Sequence, residues 1–139
     1  MRPRHLGVAV WVLPLAGCAG TLYLAMDGTA PRPAVEVVDC VKGQIGVLGY
    51  TQTSHDVEKH RITAQKYDWD TRRSDTQFRR MIDRLKIEVR DSADKIAHLK
   101  VEAHSFADLA TQRGPTEVEN DASPAVKAAA QALMDACGK

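Results

Sequence analysis

The chain has 139 residues, enough for one domain with an adequate core and too few for two. It is 44% hydrophobic but only 5% aromatic, so aliphatic side chains must fill that core. Basic and acidic residues stand at 19 against 18, and without Arg2 and Arg4 at the N-terminus at 17 against 18. This balance argues against a nucleic-acid partner, whose phosphates are normally met by a clear basic excess.

Residues 1–17 have the layout of an export signal. Arg2 and Arg4 form a positive start, Leu6 to Leu13 is an apolar run, and Pro14 breaks it. Leu15-Ala16-Gly17-Cys18 follows, an aliphatic residue and two small ones before a cysteine. The stretch resembles the lipobox of bacterial lipoproteins. That resemblance implies cleavage before Cys18, diacylglyceryl transfer to its thiol, and anchoring of the mature chain to the cell-envelope membrane outside the cytoplasm. Ala19 stands where an inner-membrane retention signal often carries Asp, which favours the periplasmic face of the outer membrane if the cell has two membranes. The competing reading is an uncleaved helix over Leu6 to Met26, long enough to span a bilayer though weakened by Pro14, Gly17 and Gly20.

Residues 18–32 are expected to form a lipidated tether and linker, with Thr21 to Met26 either tether or edge strand and Pro31 and Pro33 stiffening its end. The folded domain is then 33–139. Pro33 suits the first turn of a helix whose apolar positions are Val37, Val41, Ile45 and Leu48. Gly43 and Gly46 in that helix would allow close packing on a sheet, and Gly49 would end it. Tyr50 to Val57 reads as an edge strand and His60 to Tyr67 as a second strand. In 83–90, Leu85, Ile87 and Val89 alternate with charged residues. In 96–106, Leu99, Val101 and Ala103 alternate with His98, Lys100, Glu102 and His104. Asp91-Ser92-Ala93-Asp94 is the hairpin turn between them. Residues 108–122, polar and containing Gly114-Pro115, are expected to be a loop. Ser123-Pro124 caps a last helix with Val126, Ala130, Leu133 and Cys137 on one stripe.

The expected fold is α+β: an antiparallel sheet of about four strands, with N- and C-terminal helices packed on one face, in helix–sheet–helix order. The layout is similar to that of small uncharacterised envelope lipoprotein domains, which implies little about activity. Cys40 and Cys137 are the cysteines left after Cys18, an even pair in an oxidising compartment and each on the apolar side of a helix. They are predicted to form a disulfide.

The unusual stretch is 68–84, with Trp69, Arg72, Arg73, Arg79 and Arg80 among aspartates. Its functional reading is a partner-binding loop in which the arginines meet an anionic group and Trp69 and Phe78 anchor. Its structural reading is a long hairpin connection whose arginines pair with Asp68, Asp70 and Asp75, with Phe78 and Met81 in the core. His98 and His104 are six residues apart, roughly 20 Å along a strand, and cannot share a metal. The aspartates lack calcium-loop spacing. No nucleophile, zinc-protease, phosphate-loop or dinucleotide motif is present, and Ser105 points away from His104. The sequence therefore predicts no enzyme, no cofactor and no metal. It points to a lipoprotein that meets an envelope protein as an accessory module. The alternative is a module binding a small hydrophobic ligand or lipid between helices and sheet, in room left by the helix glycines and by Ala128, Ala129, Ala130 and Ala132.

Overall fold

A computed structural model describes residues 20–139. The expected signal peptide and the expected lipidation site, Cys18, lie outside the described residues. The described chain forms β1 (Leu24–Ala30), α1 (Ala34–Val47), β2 (Thr51–Asp56), β3 (Arg61–Asp68), β4 (Phe78–Asp91), β5 (Ala97–Thr111), β6 (Gly114–Asn120) and α2 (Pro124–Cys137). This overturns the expected helix–sheet–helix order with about four strands. Six strands are present, and a strand rather than a helix comes first.

The sheet is antiparallel in the order β1-β5-β4-β3-β2, and β6 also pairs with β5. β1 and β6 share one edge of β5 end to end, β1 along 97–103 and β6 along 105–111. Ala122 N–H donates to the Leu22 carbonyl at 2.8 Å where these two strands meet.

Two segments were misread for identifiable reasons. Gly28 to Pro33 has a linker's composition, yet Gly28, Thr29 and Ala30 continue β1 opposite Leu99, His98 and Ala97. A Cβ at Gly28 would meet the terminal methyl of the flexible Met134 side chain, which would have to shift. Leu24 to Met26 also belong to this strand, and no described helix is long and apolar enough to cross a membrane.

Residues 108–122 are the second correction. β5 runs on to Thr111, turns, and returns as β6. Gly114 takes φ +107° at that turn, and Pro115 follows on a strand whose outer side has no sheet neighbour, where a missing N–H costs nothing to the ladder. The turn predicted at 91–94 is present between β4 and β5, closed by a Ser92 Oγ bond to the Ile96 carbonyl at 2.9 Å.

Both helices cover the same sheet face. Val37, Val41 and Ile45 of α1, with Val126, Ala130 and Leu133 of α2, pack on Ile62, Leu85, Ile87, Val89, Leu99 and Val101 in one core. Asp91 at the end of β4 accepts from Ala34 N–H at 2.8 Å and starts α1. Ser123 caps α2 through Val126 N–H at 3.1 Å, with Pro124 at the first helical position. Gly43 and Gly46 are exposed, and a Cβ on either would meet nothing within 4 Å. They neither tighten packing on the sheet nor open space beneath the helix, contrary to both expectations. Cys40 and Cys137 form a disulfide, Cα to Cα 5.8 Å, that ties the middle of α1 to the end of α2.

Candidate functional site

The face of the sheet away from the helices has two parts. Towards the β4–β5 turn it is an alternation of charged side chains such as Arg61, Glu88, Lys100 and Glu102, which pair with one another across and along strands. Towards the loop 69–77 it is a ladder of arginines stacked on aromatic rings.

Period-two alternation puts Tyr67 of β3, Arg80 and Arg84 of β4, His104, Phe106 and Asp108 of β5, and Glu117 and Glu119 of β6 on this face. The Arg80 guanidinium lies 3.7 Å from the Tyr67 ring centroid and 4.7 Å from that of Trp69, and its Nε donates to Asp108 at 3.0 Å. Arg84 lies 4.6 Å from the Phe106 ring and grips Glu117 with both terminal nitrogens, at 2.9 and 3.0 Å. A planar guanidinium that is both stacked and forked to a carboxylate is held in one orientation.

His104 is only 6% exposed. The expected outward-facing position is its true face, but Tyr23 stacks on it at 4.7 Å and its nitrogens lie 2.6 Å from Glu119 and 3.2 Å from Glu102. The strand alternation is legible from sequence; the cover from Tyr23 and β6 is not, because Thr21 to Met26 reads there as either tether or edge strand and 108–122 as a loop.

The loop resolves the two readings of 68–84 unevenly. Its aspartates do not pair with its arginines. Asp68 accepts from Asp70 N–H, Thr71 N–H and the Thr71 hydroxyl at 2.8, 3.2 and 2.6 Å, and these bonds hold its carboxyl below the usual carboxylate range. Asp75 accepts from Gln77 N–H at 2.9 Å. Both are turn-forming caps. Arg72 donates to the Trp69 carbonyl at 2.6 Å, and Arg73 lies 5.3 Å from the Phe78 ring. Arg79 is exposed, beside the register shift between Phe78 and Arg80. Arg72, Arg73 and Arg79 form no salt bridge with a described residue. Phe78 and Met81 are half-buried and lie outside the core cluster, so the structural reading fails there too. Of the five candidate residues, Trp69 and Arg80 are in direct contact, Arg72 joins them through the backbone, and Arg73 and Arg79 border the same end of the sheet. Trp69 is 54% exposed.

The helix-facing side holds a second polar cluster that sequence reasoning missed. Asp83 is buried and accepts from Ser105 Oγ at 2.6 Å and Ser123 Oγ at 2.9 Å, while Ser123 N–H donates to Ser105 Oγ at 2.9 Å. Ser123 shows in the sequence as a helix cap; its link to a strand 40 residues away does not. Ser105 faces away from His104, as strand neighbours do. Among the described residues no group of three His, Cys, Asp or Glu is placed to hold a metal ion. No protein-family model matches this chain, and no curated protein matches it in sequence.

The Arg84–Glu117 fork sets an acid limit on stability. Donation from Arg84 lowers the Glu117 carboxyl below its ordinary value. Its contribution is therefore complete above the unfolded carboxylate range, near 4.3, and is lost as pH falls through the folded value. Glu117→Gln should lower the melting temperature at pH 7 and flatten its decline between about pH 5 and 3. An unchanged acid slope in a thermal-melt series would show that the fork adds nothing.

Proposed function

We propose that this protein is a non-catalytic, lipid-anchored extracytoplasmic module that meets another envelope protein through the end of the sheet bearing Trp69, Arg72, Arg73 and Arg79. The lipobox at 15–18 supports anchoring through Cys18, and its setting supports the envelope, with the periplasmic face of the outer membrane favoured in a two-membrane cell. The observation that carries the partner site is the diversion of Asp68 and Asp75 to backbone N–H groups. It leaves Arg72, Arg73 and Arg79 without a salt bridge to a described residue beside an exposed tryptophan, the pairing enriched at interface centres. Arg80 belongs to the support of this surface, since Asp108, Tyr67 and Trp69 already engage it.

Crosslinking of tagged full-length chain in intact envelopes tests the reading. One recurrent partner is expected, with capture reduced about tenfold, the effect of roughly 1.4 kcal/mol, when Arg72, Arg73 and Arg79 are all changed to Glu. Cys18→Ala should move the chain out of the membrane fraction. Full capture by the triple variant would remove the loop from the interface, and membrane retention of Cys18→Ala would remove the lipid anchor.

A further inference from the structure

A groove of about 720 Å³ opens between the start of α2 and the segment 68–71. That is the size of a small-molecule site. One wall is the first two turns of α2, where Ala125 and Ala128 expose only methyl groups. Trp69 lines the facing wall, its ring also in contact with Tyr67 and Arg80. Charged groups in the lining are Asp68, Asp70 and Asp83 against Lys66, a net charge of −2. Lys66 is already engaged: its Nζ donates to the Leu48 carbonyl at 3.5 Å and lies 5.9 Å from the Tyr50 ring.

Tyr50 gives the groove a polar wall that the fold does not use. It is 7% exposed, it lines the groove beside Asp83, and its hydroxyl makes no hydrogen bond with a described residue. Its ring is packed in the fold, but its oxygen stays accessible from the groove, where a ligand can reach it. Burial first and the Asp83 charge second push its ionisation upward, so it stays a neutral hydroxyl whose lone pairs can accept an N–H.

We propose that this groove binds an organic cation, with its ammonium or guanidinium head between Asp70, Asp83 and the Tyr50 hydroxyl and its alkyl stem between Trp69 and the alanine face of α2. Carboxylates supply the charge match, the indole face adds a cation–π contact, and the methyl wall takes the stem. The cation is either a free amine or a lysine or arginine side chain of a peptide. The site shares Trp69 with the partner reading above but uses none of Arg72, Arg73 and Arg79, so different variants test the two.

The test is a titration of full-length protein with n-butylammonium, N-acetyl-lysinamide and butyrate, read at the Trp69 indole N–H signal by NMR. Assignment comes from Trp69→Phe. Saturable binding of n-butylammonium with Kd near 1 mM or tighter is expected, with butyrate at least tenfold weaker. Binding of the lysine compound as well would identify a side-chain cation; binding of n-butylammonium alone would identify a free amine. Asp70→Asn, an exposed position, and Tyr50→Phe, which removes only an unpartnered hydroxyl, should each weaken binding at least threefold with the melting temperature retained. The triple arginine-to-glutamate variant should bind at least as well as the parent, so the two readings fail separately. Absence of saturation by either cation, butyrate binding as well as n-butylammonium, or unchanged affinity in both single variants would overturn the proposal.

Discussion

Replacing Cys40 and Cys137 together by serine is expected to lower the unfolding free energy by about 2–5 kcal/mol. The bridge spans a sequence separation of 97 residues, and long loops lose the most unfolded-state entropy when closed. It also joins the two helices at the place where Arg32 donates to the Cys137 carbonyl at 3.1 Å, so the end of α2 is held from both sides. Denaturant unfolding of the oxidised protein and the double variant measures the difference. A loss under about 1 kcal/mol would mean that helix–sheet packing alone fixes the helix pair.

Asp83→Ala is expected to cost about 3 kcal/mol, well beyond an ordinary surface change. Its carboxylate accepts two hydroxyls at the junction of β4, β5 and α2, and Ser123, one of those donors, also caps α2. The substitution leaves the buried Ser105 hydroxyl and the part-buried Ser123 hydroxyl without their acceptor and takes the cross-strand carboxylate away from Lys66. Ser123→Ala alone should cost about 1 kcal/mol, the usual effect of losing a helix cap. Chemical denaturation of Asp83→Ala, Ser105→Ala and the double variant tests the network, because the costs should not add. Strict additivity would show that Asp83 and Ser105 act separately.

Several elements were open to sequence reasoning because their cause is local. Leu85-Ile87-Val89 and Leu99-Val101-Ala103 alternate with charged residues, and one pleated face must then be buried. Ser123-Pro124 before Val126, Ala130 and Leu133 contains both a cap and an apolar stripe, and α2 forms there. Cys40 and Cys137 pair as an even set of cysteines allows, each already on the inner side of a helix.

The tertiary structure decided what depends on distant partners. β1 and β6 are strands because β5 offers each a half-length of free edge, and neither Gly28 nor Gly114-Pro115 signals that. Gly28 faces the Met134 side chain, near the far end of the chain. In the candidate site, the mix of Trp69 with arginines was visible, but the division of labour was not. Arg80 is spent on Asp108, 28 residues away, while the neighbouring aspartates turn inward to backbone N–H groups that are nearer and fixed in place. A short polar side chain in a loop meets its own backbone before it meets a long flexible arginine, so charge counting along the chain mispaired them. The sequence by itself determined the covered face, the two helices and the disulfide; which polar groups are free to bind depended on contacts between strands that only the folded sheet brings together.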